Sequence, residues 1–558
     1  MGSKLTLKNL ENTEFSITHN NGDSAKTIGS KDLAIAVDTI SDFPIAPVTG
    51  DVVIVRDLNR GGTFIYDSTE VVNSNDGTNF SGWIRQYSGA INIKWFGATG
   101  DGMTDDFDEV QAALTYASTN GGQLYVPTGR YRRPNVPTKF WQWVGDLTIT
   151  GDGMYKSIFF LDDVVANGRA DMFHCDTIRN LTMSDIGFES TWGDGGDFAE
   201  CSQMFSVQES TGAVIITRCS FTKSRFMSLI ISKAVRTSVT DCVFEKSRRD
   251  GCRVSSSAST IITGNHFVNV LDDAIACPLA DTVLTDNKNL RIVISNNTII
   301  NSNGIRVLGA SNTIISNNII RRPADMGILL GIGESEGDKN NFNIQVTGNV
   351  ISDIIRRSVL DGTEVAVAGN TFAIYIVSVD VETIDGTHYP FGRNVAGDGV
   401  ILPYSYYDDS VVHNGLSTGI NLPLVGCVIS NNIYNRTLYP SVDNLGVYSD
   451  FGLGLRLTHL GYLDPLIVTD AVKPTFLTVA GGIRNSVISN NVVDGIFHGI
   501  HLAGVGTPSI ISISDVNISG NTIMNFESLG IRISGKGNVN INNNILNGVP
   551  LFLHSNRA

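Results

Sequence analysis

The chain has 558 residues, of which 42% are hydrophobic, and it carries a formal net charge of −15 at pH 7. This length allows more than one domain and a large core, whereas the acidity disfavours nucleic acid and anionic membranes as general partners. No apolar run reaches the roughly 18 residues of a membrane span, and the first residues lack a signal-peptide pattern, so we expect a soluble protein made without an N-terminal export signal.

Residues 1–90 lack the repeat that fills most of the later chain. Strand-like runs occupy residues 51–55 and 62–66, and a polar hairpin-like segment follows around residues 73–77. We therefore predict a separate small N-terminal module over residues 1–90.

The next segment predicts a single helix over roughly residues 105–119. Asp105 and Asp106 suit its amino terminus, and Gly121 and Gly122 end it. Its apolar stripe consists of Phe107, Val110, Ala113, Leu114 and Ala117. Such a helix would cover the open end of a solenoid, and the strand-like run at 123–127 would begin the coil.

From residue 219 onward a short phrase recurs: an apolar pair, Ser or Thr, Asn or Gly, then Asn and another apolar pair. Its fifth position is held in turn by Cys219, Cys242, Asn265, Asn297, Asn318, Asn349, Asn370, Asn432, Asn491, Asn521 and Asn544. The shortest spacings, such as Cys219 to Cys242 and Asn297 to Asn318, are typical of one solenoid turn. Short Val/Ile-rich runs without helical periodicity indicate turns made of strands. We predict an all-β fold, a right-handed single-stranded parallel β-helix, with an internal Asn ladder and loop insertions at the longer spacings.

The cysteines and acidic motifs give no sign of a metal centre. Seven cysteines occur without metal-type spacing, which predicts buried thiols. No calcium-loop string is present. We therefore expect no metal and no other cofactor.

The start of the coil is similar to one known family. The strings WFGATGDGMTDD and GGQLYVPTGRY, with the helix between them, resemble the opening of the pectate-lyase-like β-helix of phage tailspikes and polysaccharide depolymerases. The preceding string GDVVIVRDLNRGGTFIYDS resembles the segment before that opening in capsule-degrading tailspikes. The resemblance covers positions 1–140. It predicts a β-helix opening with a capping helix at 91–140 and a coil at 141–558 whose inserted loops carry the polysaccharide site.

The resemblance also implies where the protein works and with what. It implies a homotrimeric enzyme of the phage tail that is made in the host cytoplasm, with bacterial capsule or O-antigen as substrate. The N-terminal module would attach to baseplate or tail proteins. Recognisable turns continue to Asn544, so trimer contacts would have to come from the flanks of the coil or from the N-terminal module.

The register of the turns predicts a cluster of carboxylates. Eight residues after the repeated position, successive turns carry Met227, Asp250 and Asp273, and the following turn places Asn303 there. Neighbouring parallel strands lie about 4.8 Å apart, so Asp250 and Asp273 should be neighbours, with Asp272 beside them. Glycoside hydrolysis requires a protonated acid and an ionised partner, and a nearby like charge raises the pKa of one carboxyl.

Asp250–Gly251 on one turn and Asp272–Asp273 on the next resemble the pattern that holds the catalytic carboxylates of polygalacturonases, although the expected Gly-His-Gly is missing. We predict Asp250, Asp272 and Asp273 as acid and base. The predicted substrate contacts are Arg249, Arg253, Arg306, Asp325, Trp192 and Tyr406. A network of Asp–Arg salt bridges that merely closes the turns is the alternative for this cluster.

Two other functions fit the same sequence. A polysaccharide lyase on this scaffold would need a base such as Lys, His, Tyr or Arg beside a neutralised uronate. A non-catalytic adhesin would bind sugar and leave it intact. New unsaturated products would identify the lyase, and an unchanged polymer length would identify the adhesin.

Overall fold

The structure is a computed structural model. It describes residues 34–134, 136, 139–162, 171–191, 203–278, 291–308, 311–323, 326–331, 342–354, 424–435, 483–495, 498–505, 513–526, 529–534 and 537–548. It also describes the strands at 15–16, 27–28, 358–360, 363–365, 371–379, 381–384, 387–390, 452–460 and 554–555.

A five-stranded sheet precedes the coil. Its strands are Ile35–Val37, Val52–Val55, Gly62–Tyr66, Asn79–Phe80 and Trp83–Gln86, with 3₁₀ turns at Ile40–Asp42 and Ser68–Asn73 and a separate strand pair at Phe15–Ser16 and Thr27–Ile28. Its core consists of Val53, Val55, Phe64, Phe80 and Trp83. The guanidinium of Arg85 lies 4.6 Å from the Trp95 ring and 4.6 Å from the Phe64 ring. Arg85 thus links this sheet to the 3₁₀ turn Ile93–Phe96 at the start of the coil.

The predicted helix spans Phe107–Thr119, and its buried residues are the predicted Val110, Ala113, Leu114 and Ala117. They pack into the same core cluster as the first coil strands. The contribution of Asp106 differs from the expectation, because its side chain does not cap the helix. It accepts hydrogen bonds from the backbone N–H groups of Thr99 and Gly100 at 2.6 and 3.2 Å, while Asp105 accepts that of Phe107 at 3.0 Å.

No helix among the residues that the structure describes is long and apolar enough to cross a membrane.

The coil consists of parallel strands stacked in three sheets, which confirms the predicted all-β parallel β-helix. The first sheet contains Ile91–Asn92, Gln123–Val126, Asp146–Gly151, Asn180–Ser184, Phe205–Thr217, Ala234–Thr240, Ser259–Thr263, Arg291–Ser295, Ser311–Ser316, Phe342–Thr347, Leu424–Val425, Val428–Ser430, Ile483–Ser489, Ile513–Ser519 and Gly537–Asn542. The second sheet contains Asp101–Asp105, Gly129–Pro134, Ser157–Asp162, Gly187–Ser190, Ser220–Ser224, Val243–Ser247, His266–Val268, Thr298–Ile300, Ile319–Arg321, Val350–Ser352, Ile433–Asn435, Val492–Asp494, Thr522–Met524 and Ile545–Asn547.

The third sheet shares the long strand Phe205–Thr217 with the first sheet. Its other strands are Phe173–Ile178, Leu229–Ser232, Cys252–Ser255, Asp273–Pro278, Asn303–Leu308, Met326–Gly331, Thr371–Val379, Gly452–Leu460, His498–Val505, Leu529–Ser534 and His554–Ser555. Two antiparallel pairs, Ser358–Leu360 with Thr363–Val365 and Val381–Ile384 with Thr387–Pro390, lie outside the three sheets.

Identical side chains stack inside the coil. The rings of Phe188, Phe221, Phe244 and Phe267 lie parallel, with centroids 4.7 to 4.9 Å apart. The six cysteines that the structure describes are buried and free, as predicted. Such stacking fixes one spacing between turns, so side chains at the same position of neighbouring turns meet.

The predicted Asn ladder is present. The N–H of each member donates to the Oδ1 of the next at 3.0 Å, up to the last member, Asn544. The members are Asn265, Asn297, Asn318, Asn349, Asn432, Asn491, Asn521 and Asn544. Cys219 and Cys242 continue the column toward the amino terminus. The predicted member Asn370 lies outside the residues that the structure describes. The N–H of Asn349 donates to Oδ1 of Asn432.

Replacing Asn318 with Ala is expected to lower the free energy of unfolding by about 2–5 kcal/mol. Asn318 is fully buried, and its amide donates to Asn349 Oδ1 and to the Ile294 carbonyl at 2.9 and 3.1 Å. Its Oδ1 accepts the N–H of Asn297, so the substitution leaves several buried polar groups unpaired, each costing about 1–3 kcal/mol. Thermal and urea unfolding measure the change. Asn540→Ala, at an exposed strand position, is the control, and an equal loss in both variants would contradict the ladder's role.

Candidate active site

The structure brings the three predicted carboxylates together on the third sheet. The predicted column is present: the N–H of Ser228 donates to the carbonyl of Asp250 at 3.1 Å, and that of Gly251 donates to the carbonyl of Asp273 at 3.0 Å. Asp273 in turn pairs in register with Asn303. One carboxylate oxygen from each of Asp250, Asp272 and Asp273 lies within 4.8 Å of the others.

The turns that carry these carboxylates are closely packed. A Cβ at Gly251 would lie 2.9 Å from the Ala274 carbonyl oxygen and 3.0 Å from the Phe267 ring. The hydroxyl of Ser247 donates to the carbonyls of Phe226 and Asp250, at 2.9 and 3.2 Å. Gly251 therefore permits the close approach of two turns, and Ser247 fixes the backbone that presents Asp250.

Sequence reasoning missed Ser247 as a positioning residue. Ser224 and Ser247 are register partners in the second sheet, and each is followed by Arg in the sequence. That Ser-Arg pair, repeated at the same position of two neighbouring turns, was the signal that could have found it.

The three carboxylates differ in burial, and each has its own arginine. Asp250 and Asp273 are 2% and 8% exposed, whereas the side chain of Asp272 is 26% exposed. The pairs are Arg253 with Asp250 at 3.1 Å, Arg249 with Asp272 at 2.8 Å and Arg306 with Asp273 at 3.8 Å. Three predicted arginines thus contact three predicted carboxylates.

Burial changes the acidity of the two inner carboxyls. It raises the pKa of Asp250 to about 6, with a further rise from Asp272 that Arg253 partly opposes. It also raises the pKa of Asp273 well above its usual range, with Asp272 and Asp250 adding to the effect. The cluster therefore retains a proton near neutral pH, because three adjacent carboxylates cannot all ionise in a buried site.

Such a cluster provides both groups that glycoside hydrolysis needs. A carboxyl with a raised pKa donates a proton to the leaving oxygen, and an ionised neighbour directs water or attacks the sugar carbon. The spacing of the oxygens would also fit a cation. Three guanidinium groups compete for the same oxygens, however, so this donor set does not favour a metal.

Three predicted contacts cannot be placed. Trp192, Asp325 and Tyr406 lie outside the residues that the structure describes. They stay predictions.

The sequence comparisons agree with the fold. Residues 90–329 match the sequence model of a family described as rhamnogalacturonase A/epimerase, pectate lyase-like. This match spans the capping helix and the carboxylate cluster but less than half of the chain. The matched part of the chain therefore includes the candidate site. One curated relative, alginate lyase 7 of Azotobacter vinelandii, is 55% identical over 42 residues, which are 7% of this chain and only 5% of that protein.

Solved structures share the same architecture. The Agl-KA catalytic domain aligns with a TM-score of 0.50 at 14% identity, over 82% of this chain and 69% of that one. The surface adhesin PfbA of Streptococcus pneumoniae has a TM-score of 0.45 at 14% identity, over 82% and 92%. The Dettilon tailspike protein has a TM-score of 0.39 at 11% identity, over 81% and 68%. At 14% identity the similarity to the Agl-KA catalytic domain shows the fold alone.

Proposed function

We propose that the protein is a tailspike-type depolymerase that binds a bacterial surface polysaccharide, capsule or O-antigen, and cleaves it by glycoside hydrolysis. The observation that carries this proposal is the buried group of three carboxylates, each paired with an arginine, on a pectate-lyase-like coil. The names of the matched family, rhamnogalacturonase A/epimerase, and of the curated relative, an alginate lyase, support a polysaccharide as the ligand.

The burial of the carboxyls suggests distinct roles. Asp273, whose pKa is raised by burial and by both neighbouring carboxylates, acts as the general acid. Asp272, more exposed and paired with Arg249, is the ionised partner that directs water or attacks the sugar. Asp250 shares the proton of the cluster and holds Arg253 in place. Arg249 and Arg306 position hydroxyl or acidic groups of the sugar.

Turn-closing salt bridges elsewhere in the coil behave differently from this cluster. Arg218 pairs with Asp185 at 2.7 Å and lowers the pKa of that carboxyl. Arg179 likewise lowers the pKa of Asp146 to about 2. At the candidate site the pKa values of Asp250 and Asp273 rise despite the arginines. Raised pKa values in a paired cluster favour catalysis over a purely structural role.

Incubation of the purified protein with a panel of capsular and O-antigen polysaccharides tests the proposal. Reducing ends and ultraviolet absorbance are followed together. New reducing ends without absorbance are expected from a hydrolase. New reducing ends accompanied by a rise in ultraviolet absorbance would identify a lyase. Tight binding without any cleavage would identify an adhesin. Either of these two results overturns the hydrolase proposal.

The resemblance of the opening strings extends the proposal to the virion. Residues 1–90 would attach the protein to baseplate or tail proteins, residues 91–140 would open and cap the coil, and residues 141–558 would carry the polysaccharide site. The protein would form a homotrimer on the phage tail. Sedimentation equilibrium of the purified chain tests the trimer, and a monomer would contradict it.

Replacing Arg253 with Gln is expected to move the pH–activity profile to higher pH. The positive charge of Arg253 lowers the pKa of both Asp250 and Asp273, so its loss raises the pKa of the acid and of its neighbour together. The measurement is kcat/KM against pH for the wild type and the variant. A profile that only falls in height, without moving along the pH axis, would show that Arg253 does not act on these carboxyls.

A further inference from the structure

The two buried carboxylates belong to a column of side chains that stack from turn to turn, at or just before the start of the third-sheet strands. Strand pairing places Asn303 directly after Asp273 in this column. The same register puts Met227 before Asp250. It puts Met326 after Asn303. Successive members are about 4.8 Å apart, so the polar part of the column, from Asp250 to Asn303, is about 10 Å long and has a methionine at either end.

The backbone of Asn303 is held against the turn that carries the carboxylates. Its N–H donates to the carbonyl of Asp272 at 3.2 Å. The next residue, Gly304, packs so closely against the following turn that a Cβ there would overlap the carbonyl oxygen of Gly327. The position of Asn303 beside Asp273 is therefore fixed by both neighbouring turns.

The side chain of Asn303 differs from those of the ladder asparagines. Asn297 and Asn318 are fully buried, and their amides donate hydrogen bonds to the neighbouring turns. Asn303 is partly exposed, and within the described part of the chain its side chain makes no hydrogen bond. A carboxamide has two N–H donors and an acceptor oxygen. At Asn303 these groups face solvent instead of closing a turn.

The strand Asn303–Leu308 presents only two side chains to solvent. Asn303 and Arg306 are partly exposed, and the other four residues of the strand are buried. Arg306 approaches the carboxylate of Asp273 at 3.8 Å. A carboxylate in place of the Asn303 amide would add repulsion between like charges at the same register position. The amide has nearly the same shape without the charge, and it can donate to a sugar hydroxyl.

We propose that Asn303 is a substrate-contacting residue that determines specificity, because its amide hydrogen-bonds a hydroxyl group of the sugar unit beside the cleaved bond. A site that hydrogen-bonds a hydroxyl discriminates against a sugar that lacks it, since its own polar group is then left unpaired. Met326, the next member of the column, offers only a weak acceptor, so it cannot replace the amide. The proposal rests on the proposed function for the location of the cleaved bond.

Kinetics of Asn303→Ala test the contact on the panel polysaccharide that is cleaved. We expect kcat/KM to fall about three- to tenfold, the usual effect of losing one hydrogen bond. The unfolding midpoint should not change, because the side chain makes no hydrogen bond to the described part of the protein. Asn540→Ala, at an exposed position of the first sheet, is the matched control and should leave kcat/KM unchanged.

Asn303→Asp tests whether the side chain lies beside the acid. This variant places a further carboxylate in register with Asp273, and a nearby like charge raises the pKa of a carboxyl. The profile of kcat/KM against pH should therefore move to higher pH. Asn540→Asp adds the same charge on the first sheet and should leave the profile in place. An unmoved profile in Asn303→Asp would overturn the contact.

Two other results would also overturn the contact: a kcat/KM of Asn303→Ala equal to that of the wild type, or a lowered unfolding midpoint, which would make Asn303 a structural residue. The first, with cleavage by the wild type intact, overturns the contact alone. If no polysaccharide of the panel is cleaved, Kd for the one that is bound replaces kcat/KM. Binding weakened about three- to tenfold in Asn303→Ala, without cleavage, would overturn the hydrolase alone. A wild type that neither binds nor cleaves any of them would overturn both.

Discussion

Replacing Asp273 with Asn is expected to lower kcat by a factor of about 10²–10⁴, the usual contribution of general acid–base catalysis. Asn has the shape of the carboxylic acid but cannot release a proton. Burial and the neighbouring carboxylates raise the pKa of Asp273 well above its usual range, which favours the protonated carboxyl that general acid catalysis requires and that Asn cannot replace. The assay is reducing-end release from whichever polysaccharide of the panel is cleaved.

Asp185→Asn is the matched control. It makes the same chemical change and also removes a carboxylate from an arginine pair, that with Arg218 at 2.7 Å. Asp185 has a φ of 62°, a left-handed conformation that Asn tolerates, so the turn is retained. Activity should remain at the wild-type level. If a correctly folded Asp273→Asn variant were as active as Asp185→Asn, the carboxylate cluster would be a structural network of salt bridges.

Replacing Asp272 with Asn extends the same experiment. This change removes the ionised partner, so it should also lower kcat by about 10²–10⁴. Full activity in Asp272→Asn would show that Asp272 does not direct the water.

Where consecutive turns have the same length, the sequence was sufficient to predict which residues lie next to each other on neighbouring turns. From Cys219 to Cys242 and from Cys242 to Asn265 the repeated position advances by the same number of residues, so a residue can be transferred to the next turn by counting. This is why Asp250 and Asp273 could be placed together. The capping helix was equally accessible, because its apolar stripe and the glycines after it depend only on local sequence.

Counting failed where insertions interrupt the turns. Asn349 bonds to Asn432, 83 residues later, and counting in steps of one turn does not reach that partner. The pairing of these later strands was hidden for the same reason, because Tyr375 pairs with Arg456 and Arg456 with His501 across segments of unequal length. Which strands pair depends on which segments are inserted as loops outside the coil, and no local sequence pattern identifies those segments.

The burial of each carboxyl also could not be predicted from the sequence. Asp272 and Asp273 are adjacent in the chain, but only Asp273 lies beneath the outer surface, at 8% exposure. The side chains of adjacent residues in a turn point in different directions. A small change in backbone direction therefore determines which carboxyl is shielded from solvent. The proposed division between acid and ionised partner therefore rests on burial, which the sequence does not reveal.

Replacing Asp250 with Asn is expected to stabilise the protein at pH 7 while reducing its activity. Asp250 has a pKa of about 6 against an ordinary value of 3.8. Between these two pH values the unfolded chain has released this proton and the folded protein still binds it, so stability falls as the pH rises from about 4 to about 6. At 1.36 kcal/mol per pKa unit, the ionisation of buried Asp250 lowers the free energy of unfolding by up to about 3 kcal/mol at neutral pH. Asn never ionises, so the variant should be more stable by about 1–3 kcal/mol at pH 7 and unchanged near pH 4.

Unfolding midpoints at pH 4 and pH 7 for the wild type, Asp250→Asn and Asp185→Asn test this expectation. The pKa of Asp185 is lowered by Arg218, so that carboxylate stabilises the fold above its unfolded pKa, and Asp185→Asn should lose stability at pH 7. The two substitutions, chemically identical, therefore have opposite expected signs. A loss of stability at pH 7 in Asp250→Asn would mean that the Arg253 pair outweighs the burial of the carboxylate. Stability gained together with activity lost would show that a carboxylate harmful to the fold is kept for its chemistry.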